Sequence, residues 1–285
     1  MPKRPKQHVV IVDPVIWPES KTVNVNWKLL QACTVRHYNY TQGANVNCRT
    51  TDFLTPIHIA VEHNDVTMIQ LLCSQPSLDI ESTTMHGLTP LHVATFLGHK
   101  EALKKLLENG ASVNCRDTLG RYPLHYAALR KDVSSAILLL RKNANVNGYD
   151  VFHESPLYTS VIRRPYFPMI KLLLFYGATV SSSSGQYSLG LLLESILSIH
   201  TISDMSVFDL LFRNETDVNT TDFIGLRTPM HIAAMTGNLL LAVYLIEKGA
   251  DLSRKTRAGL TPMQMAMAYN NIEIVKLIQK TLSET

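Results

Sequence analysis

"GLTPLHVATFLGHKEALKKLLENGASVNCRD", residues 87–117, decides how the 285-residue chain is to be read. Thr89 stands before Pro90, a good N-cap followed by a residue whose missing N–H would have no helical partner at that position anyway. A short stretch rich in small apolar residues runs to Leu97. Gly98 and His99 break it, and a second stretch carries Leu106 and Leu107 on one face before it stops at Gly110, a residue suited to a left-handed helix terminus. The segment predicts two short helices and a turn, too small to bury its own apolar surface.

The same pattern recurs. "TPIH" begins at Thr55, "TPLH" at Thr89, "YPLH" at Tyr122, "SPLY" at Ser155, "TPMH" at Thr228 and "TPMQ" at Thr261, with spacings of 34, 33, 33, 73 and 33. A second marker, "ANVN" at Ala44 and its echoes at Ser77, Ala111, Ala144, Ala178, Thr216 and Ala250, keeps the same phase, with steps of 33, 34, 33, 34, 38 and 34. The gap of 73 holds two units with a small insertion. Self-similarity at this period is the signature of a stacked array.

On these residues the chain resembles the ankyrin repeat family, whose T-P-L-H-x-A signature recurs near 33 residues as a β-turn followed by two helices. The resemblance covers about residues 22–285. It implies an all-α solenoid of helix-turn-helix units with hairpin tips, about seven repeats behind a partial N-terminal cap, the units starting near 22, 55, 89, 122, 155, 188, 228 and 261. The unit at 188, within "SSSSGQYSLGLLLESILSIHTISD", is expected to be a degenerate repeat: it lacks the Pro and His and holds about six extra residues. Residues 1–21 form a tail, basic in "MPKRPKQ" and then apolar in "VVIVDPVIWP".

Composition narrows the function classes. Hydrophobic residues make up 46% and charged residues 18%, enough for a continuous core. The tail has four basic against two acidic residues, which leaves 23 against 21 for the rest, so the array is near neutral and no nucleic-acid partner is expected. Cys33, Cys48, Cys73 and Cys115 show no metal-ligand or redox spacing, and no metal or cofactor is expected. No apolar run is long enough for a membrane span or a signal peptide, which points to an intracellular, cytoplasmic protein, with nuclear import on "PKRPK" left open. The sequons at Asn39, Asn214 and Asn219 are then chance matches. G-x-G-x-x-G, G-x-x-x-x-G-K-[ST], G-x-S-x-G and H-E-x-x-H are all missing, so the chain reads as a non-enzyme with no catalytic residues.

The resemblance implies that His58, His92, His125 and His231, with Thr55, Thr89 and Thr228, are structural, each His bridging neighbouring turns. It also places partner recognition on the concave side, at the hairpin tips and the exposed end of each first helix. Phe96, Leu97, Leu119, Leu129 and Phe152 would line an apolar strip flanked by Arg121, Arg130, Arg163 and Arg164, the pattern of an interaction site. Met235 and Tyr269 occupy the equivalent positions in later units. "RRPYFP", residues 163–168, makes an unusual loop whose Tyr166 and Phe167 serve either a partner or local packing. The expected function is a protein-interaction scaffold or adaptor, monomeric by itself. The alternatives are a substrate-recruiting subunit of a ubiquitin ligase and a nuclear, transcription-linked regulator. The last unit is expected to end the array without the C-terminal helical box that ligase-recruiting relatives carry.

Overall fold

The computed structural model describes residues 25–35, 44–163, 166–180, 209–211, 217–222 and 225–284. The basic tail, Arg164 and the start of the degenerate unit at Ser188 lie outside the described residues. Helix α1, Val25–Val35, precedes the first hairpin. The repeats then contribute α2 (Pro56–Glu62) and α3 (Val66–Cys73), α4 (Pro90–Leu97) and α5 (Lys100–Glu108), and α6 (Pro123–Arg130) and α7 (Val133–Arg141). The fourth unit has α8 (Pro156–Tyr158), a π turn at Thr159–Arg163, and α9 (Phe167–Phe175). The last two have α10 (Pro229–Thr236), α11 (Leu239–Glu247), α12 (Pro262–Ala268) and α13 (Ile272–Glu284). Among the described residues there is no strand.

First helices stack on first helices and second on second: α2, α4 and α6 form one layer, and α3, α5 and α7 the other. Ala60, Ala94, Ala127, Ala128, Ala233 and Ala234 are fully buried in the first layer, where small side chains allow close approach. Leu72, Leu106, Leu139, Leu173, Leu245 and Ile278 are fully buried in the second. The second helices stop at residues in the left-handed region, Gly110, Asn143, Gly177 and Gly249.

Side chains reaching from one repeat to the next hold the stack in register. Asn47 accepts from the Asp79 N–H at 2.8 Å and donates to the Ser77 carbonyl at 2.7 Å. Asn114 makes the same pair of bonds to Asn145 and Asn143, and Asn147 to Thr179 and Gly177. This clamp corrects one register: Asp79 is equivalent to Asn145, so Leu78 rather than Ser77 occupies the place of Ala144.

In the second repeat the clamp residue is Glu81, whose Oε1 accepts from the Ser112 N–H at 2.6 Å. A carboxylate cannot supply the matching donor. Glu81→Asn is therefore expected to raise stability by about 0.5–1 kcal/mol, one net hydrogen bond, read as a higher urea midpoint at unchanged slope.

The insertion in the fourth repeat is small. Elsewhere the N–H before the second helix bonds five residues back, as Asp65 to Ala60, His99 to Ala94 and Asp132 to Ala127. Here Tyr166 bonds six back, to Ser160, so "RRPYFP" adds one residue, which the π turn absorbs.

Candidate functional site

Each motif histidine is locked between two repeats. The backbone N–H of Thr55 lies 3.3 Å from His58 Nδ1 and can only donate, so that nitrogen accepts. The ring then carries its proton on Nε2, which donates to the Leu88 carbonyl at 3.0 Å. His92 bonds Thr89 and Arg121, His125 bonds Tyr122 and Glu154, and His231 bonds Thr228 and Leu260 in the same way. Burial pushes the His58 pKa down to about 4, against a smaller opposing pull from the Leu88 carbonyl. His92, His125 and His231 are lowered for the same first reason.

Cys115 Sγ lies 3.5 Å from His92 Nδ1, the spacing of a nucleophilic pair. The chemistry is wrong for one. Burial pushes the thiol up to about 12, and both ring nitrogens of His92 are already engaged. Among the described residues, no group of three or more His, Cys, Asp or Glu side chains could hold a metal ion, and no helix is long and apolar enough to cross a membrane.

Buried carboxylates organise the hairpins. Asp117 Oδ1 accepts from the N–H groups of Leu119 and Arg121, and its Oδ2 accepts from the Tyr126 hydroxyl at 2.6 Å. Asp150 Oδ1 accepts from Phe152 and Glu154, and its Oδ2 lies 3.6 Å from Arg121 Nε. Arg163 closes a fork on Glu154, with Nε to Oε2 at 2.7 Å and Nη2 to Oε1 at 2.5 Å, and this carboxylate raises the guanidinium pKa. Backbone bonds from Thr118 to the His86 carbonyl and from Val151 to the Leu119 carbonyl tie successive tips together.

The expected apolar strip is largely half-buried. Phe96 packs edge-on against Tyr126 of the next repeat, with centroids 5.8 Å apart, and Leu97, Leu119 and Leu129 are partly covered. Phe152 is exposed, as are Arg130, Arg163, Phe167 and Tyr269, while Arg121, Tyr166 and Met235 are half-buried. Tyr166 lies under the Lys131 ammonium, 5.6 Å from its ring centroid. The structure brings Phe152, Arg121, Arg163 and the ends of α4 and α6 onto repeats two to four. Met235 and Tyr269 sit on repeats six and seven.

The hairpin tips hold side chains that the sequence reading missed. Phe53 is 50% exposed, Val151 55% and Leu226 42%. Phe53 and Leu226 have φ of 63° and 52°, in the slot that Gly87, Gly120 and Gly259 fill in three other repeats and His153 in the fourth. A bulky residue there is strained. The signal was an apolar residue facing glycines in the aligned repeats. Phe53→Gly is expected to raise stability by about 0.5–1 kcal/mol despite losing the contact with Arg49, as a melting scan would read.

A family model for ankyrin repeats matches in three copies, over residues 29–117, 109–184 and 198–283. The chain is 36% identical over 76 residues to the potassium channel SKOR of Arabidopsis thaliana, covering 27% of this chain and 9% of that one. It is 35% identical over 72 residues to Rabankyrin-5 of Mus musculus, 25% of this chain and 6% of that one. With the human ankyrin repeat domain-containing protein 13B it shares 38% over 64 residues, 22% and 10% of the two chains. It thus spans a tenth or less of these relatives. With the family model matching most of its length and the stacked, histidine-bridged helix pairs that the motif requires, the chain belongs to the ankyrin repeat family.

Proposed function

We propose that this chain is a non-enzymatic scaffold or adaptor that binds a protein partner on the concave face of repeats two to four. Ankyrin repeats are generally protein–protein interaction modules. The observation that carries it is exposed apolar surface at the fourth hairpin, Val151 and Phe152, beside the half-buried Leu119, Leu129 and Phe96 and rimmed by arginines. The four free thiols favour a reducing compartment, and a monomer in the cytoplasm is the form in which it would act.

Phe96 leans on buried Tyr126, so its removal would confuse binding with folding. The better pair is Phe152→Ser with Arg130→Ala. Helical content and melting should be unchanged, while recovery of partner proteins from a native extract should fall about tenfold, the effect of losing one interface anchor. Unchanged recovery would reject this face.

A further inference from the structure

We infer that the face of repeats three and four takes an extended peptide segment bearing carboxylates. This rests on the concave-face reading and adds the chemistry of the partner. In the third and fourth hairpins and at the ends of α6 and the π turn, Arg116, Arg130, Lys131 and Arg163 are exposed and Arg121 half-exposed, yet no described carboxylate there is exposed. Asp117, Asp150 and Glu154 are buried and spent inward, on backbone N–H groups, Tyr126, the Arg163 fork and the nearby Arg121. Asp132, half-buried, caps α7 through Ser134 and Ser135. The surface offered to solvent is therefore cationic, although the residues beneath it nearly balance. On α5, by contrast, exposed Glu101 and Glu108 stand among the lysines.

The arrangement suits a peptide. Two guanidinium groups are held from behind, Arg163 by Glu154 and Arg121 near Asp150, so little side-chain freedom is lost when their outer edges meet a carboxylate. Arg130 and Lys131 stand at the far end of α6, whose eight residues span roughly 12 Å. A strand of about four extended residues covers that distance at about 3.3 Å each. Val151 and Phe152 offer the apolar contact at the hairpin end. A phosphate backbone would call for a longer cationic stripe than these few side chains make.

The test uses the full chain and a phage-displayed library of random twelve-residue peptides, followed by anisotropy with synthetic copies of the enriched ones. Enriched sequences should carry net negative charge, and their affinity should fall about tenfold on the Arg130→Glu/Lys131→Glu variant, which keeps its helical content, and fall further as salt rises. Neutral or basic winners, winners indifferent to the charge reversal, or no enrichment would each overturn the proposal. Oligouridylate RNA and phosphatidylserine vesicles are run alongside, and binding of either through Arg130 and Lys131 without peptide enrichment would overturn it in favour of that class. If Phe152→Ser abolishes peptide binding while the charge reversal leaves it intact, the concave face stands and the carboxylate preference falls. If neither change matters, both fall.

Discussion

Acidification from pH 6.5 toward pH 4 is expected to unfold the array cooperatively. Unfolded, each motif histidine takes up a proton near its ordinary 6.5, whereas His58 in the fold resists protonation until about 4. The folded pKa is the depressed one. Its contribution is therefore fully present above pH 6.5 and is lost as pH falls from 6.5 to 4, because the unfolded chain binds the proton first. For His58, almost wholly buried, the gap corresponds to roughly 3 kcal/mol.

His92, His125 and His231 shift the same way, and a domain has only about 5–15 kcal/mol in total. The charged groups near them do not reverse the sign. Arg49 lowers His58 further, while Asp79 opposes; Asp117 and Asp150 pull His92 and His125 upward without overcoming burial, as Asp222 does for His231. Melting followed by circular dichroism from pH 7.5 to 4.5 should show a fall of more than about 10 °C, beginning below 6.5. A flat profile down to pH 5 would remove the argument.

The last repeat supplies a control. There Gln264 Oε1 accepts from the Thr261 N–H at 2.9 Å and does the capping without titrating. His92→Gln should lower stability at pH 7 by about 1–2 kcal/mol, through the lost bond to Arg121, yet flatten the acid profile.

The second large effect is expected at Gly148. A Cβ there would lie 2.7 Å from Tyr122 Cδ2 and closer still to Cε2. The ring cannot swing aside freely: it stacks on His125 with centroids 5.7 Å apart, and the Arg116 guanidinium lies 5.3 Å from its centre. In the first two repeats the same two positions hold a smaller residue in place of Tyr and a larger one in place of Gly, Thr55 against Ser82 at 3.1 Å and Thr89 against Cys115 at 3.2 Å.

Gly148→Ser alone should cost about 3 kcal/mol by overpacking, and Tyr122→Thr alone about 2 kcal/mol through the void it leaves. Made together they rebuild the pair seen at Thr55 and Ser82, and the double variant should recover most of the loss. Urea unfolding of the four proteins gives the coupling. A value below about 0.5 kcal/mol would mean that the two positions do not constrain each other.

Much of the array was legible because its signals are local. A Thr or Ser before Pro, a left-handed stop and a pair of leucines in between lie within one unit, and repetition multiplies a weak signal into a firm one. The fourth repeat shows the limit of such reading. "RRPYFP" has the composition of a long loop, yet it adds one residue, and its Arg163 turns inward to a buried carboxylate. The Asn47, Asn114 and Asn147 clamps recur as plainly as the histidines do, but their role rests on backbone groups about 30 residues on.

By itself the sequence determined the repeat, its period, the first-helix starts at Pro56, Pro90, Pro123, Pro156, Pro229 and Pro262 and the near-neutral charge, since caps and apolar periodicity act over a few residues. Only the tertiary structure decided which of those residues meet solvent. Phe96 is half-buried because Tyr126 stands in the next repeat, and Phe53 is exposed because a strained hairpin turns it outward. The carboxylates beside the arginines are hidden because backbone N–H groups of their own turns claim them. Exposure in a stacked array is set by the neighbouring unit, and a candidate surface can be drawn only once the units have been packed.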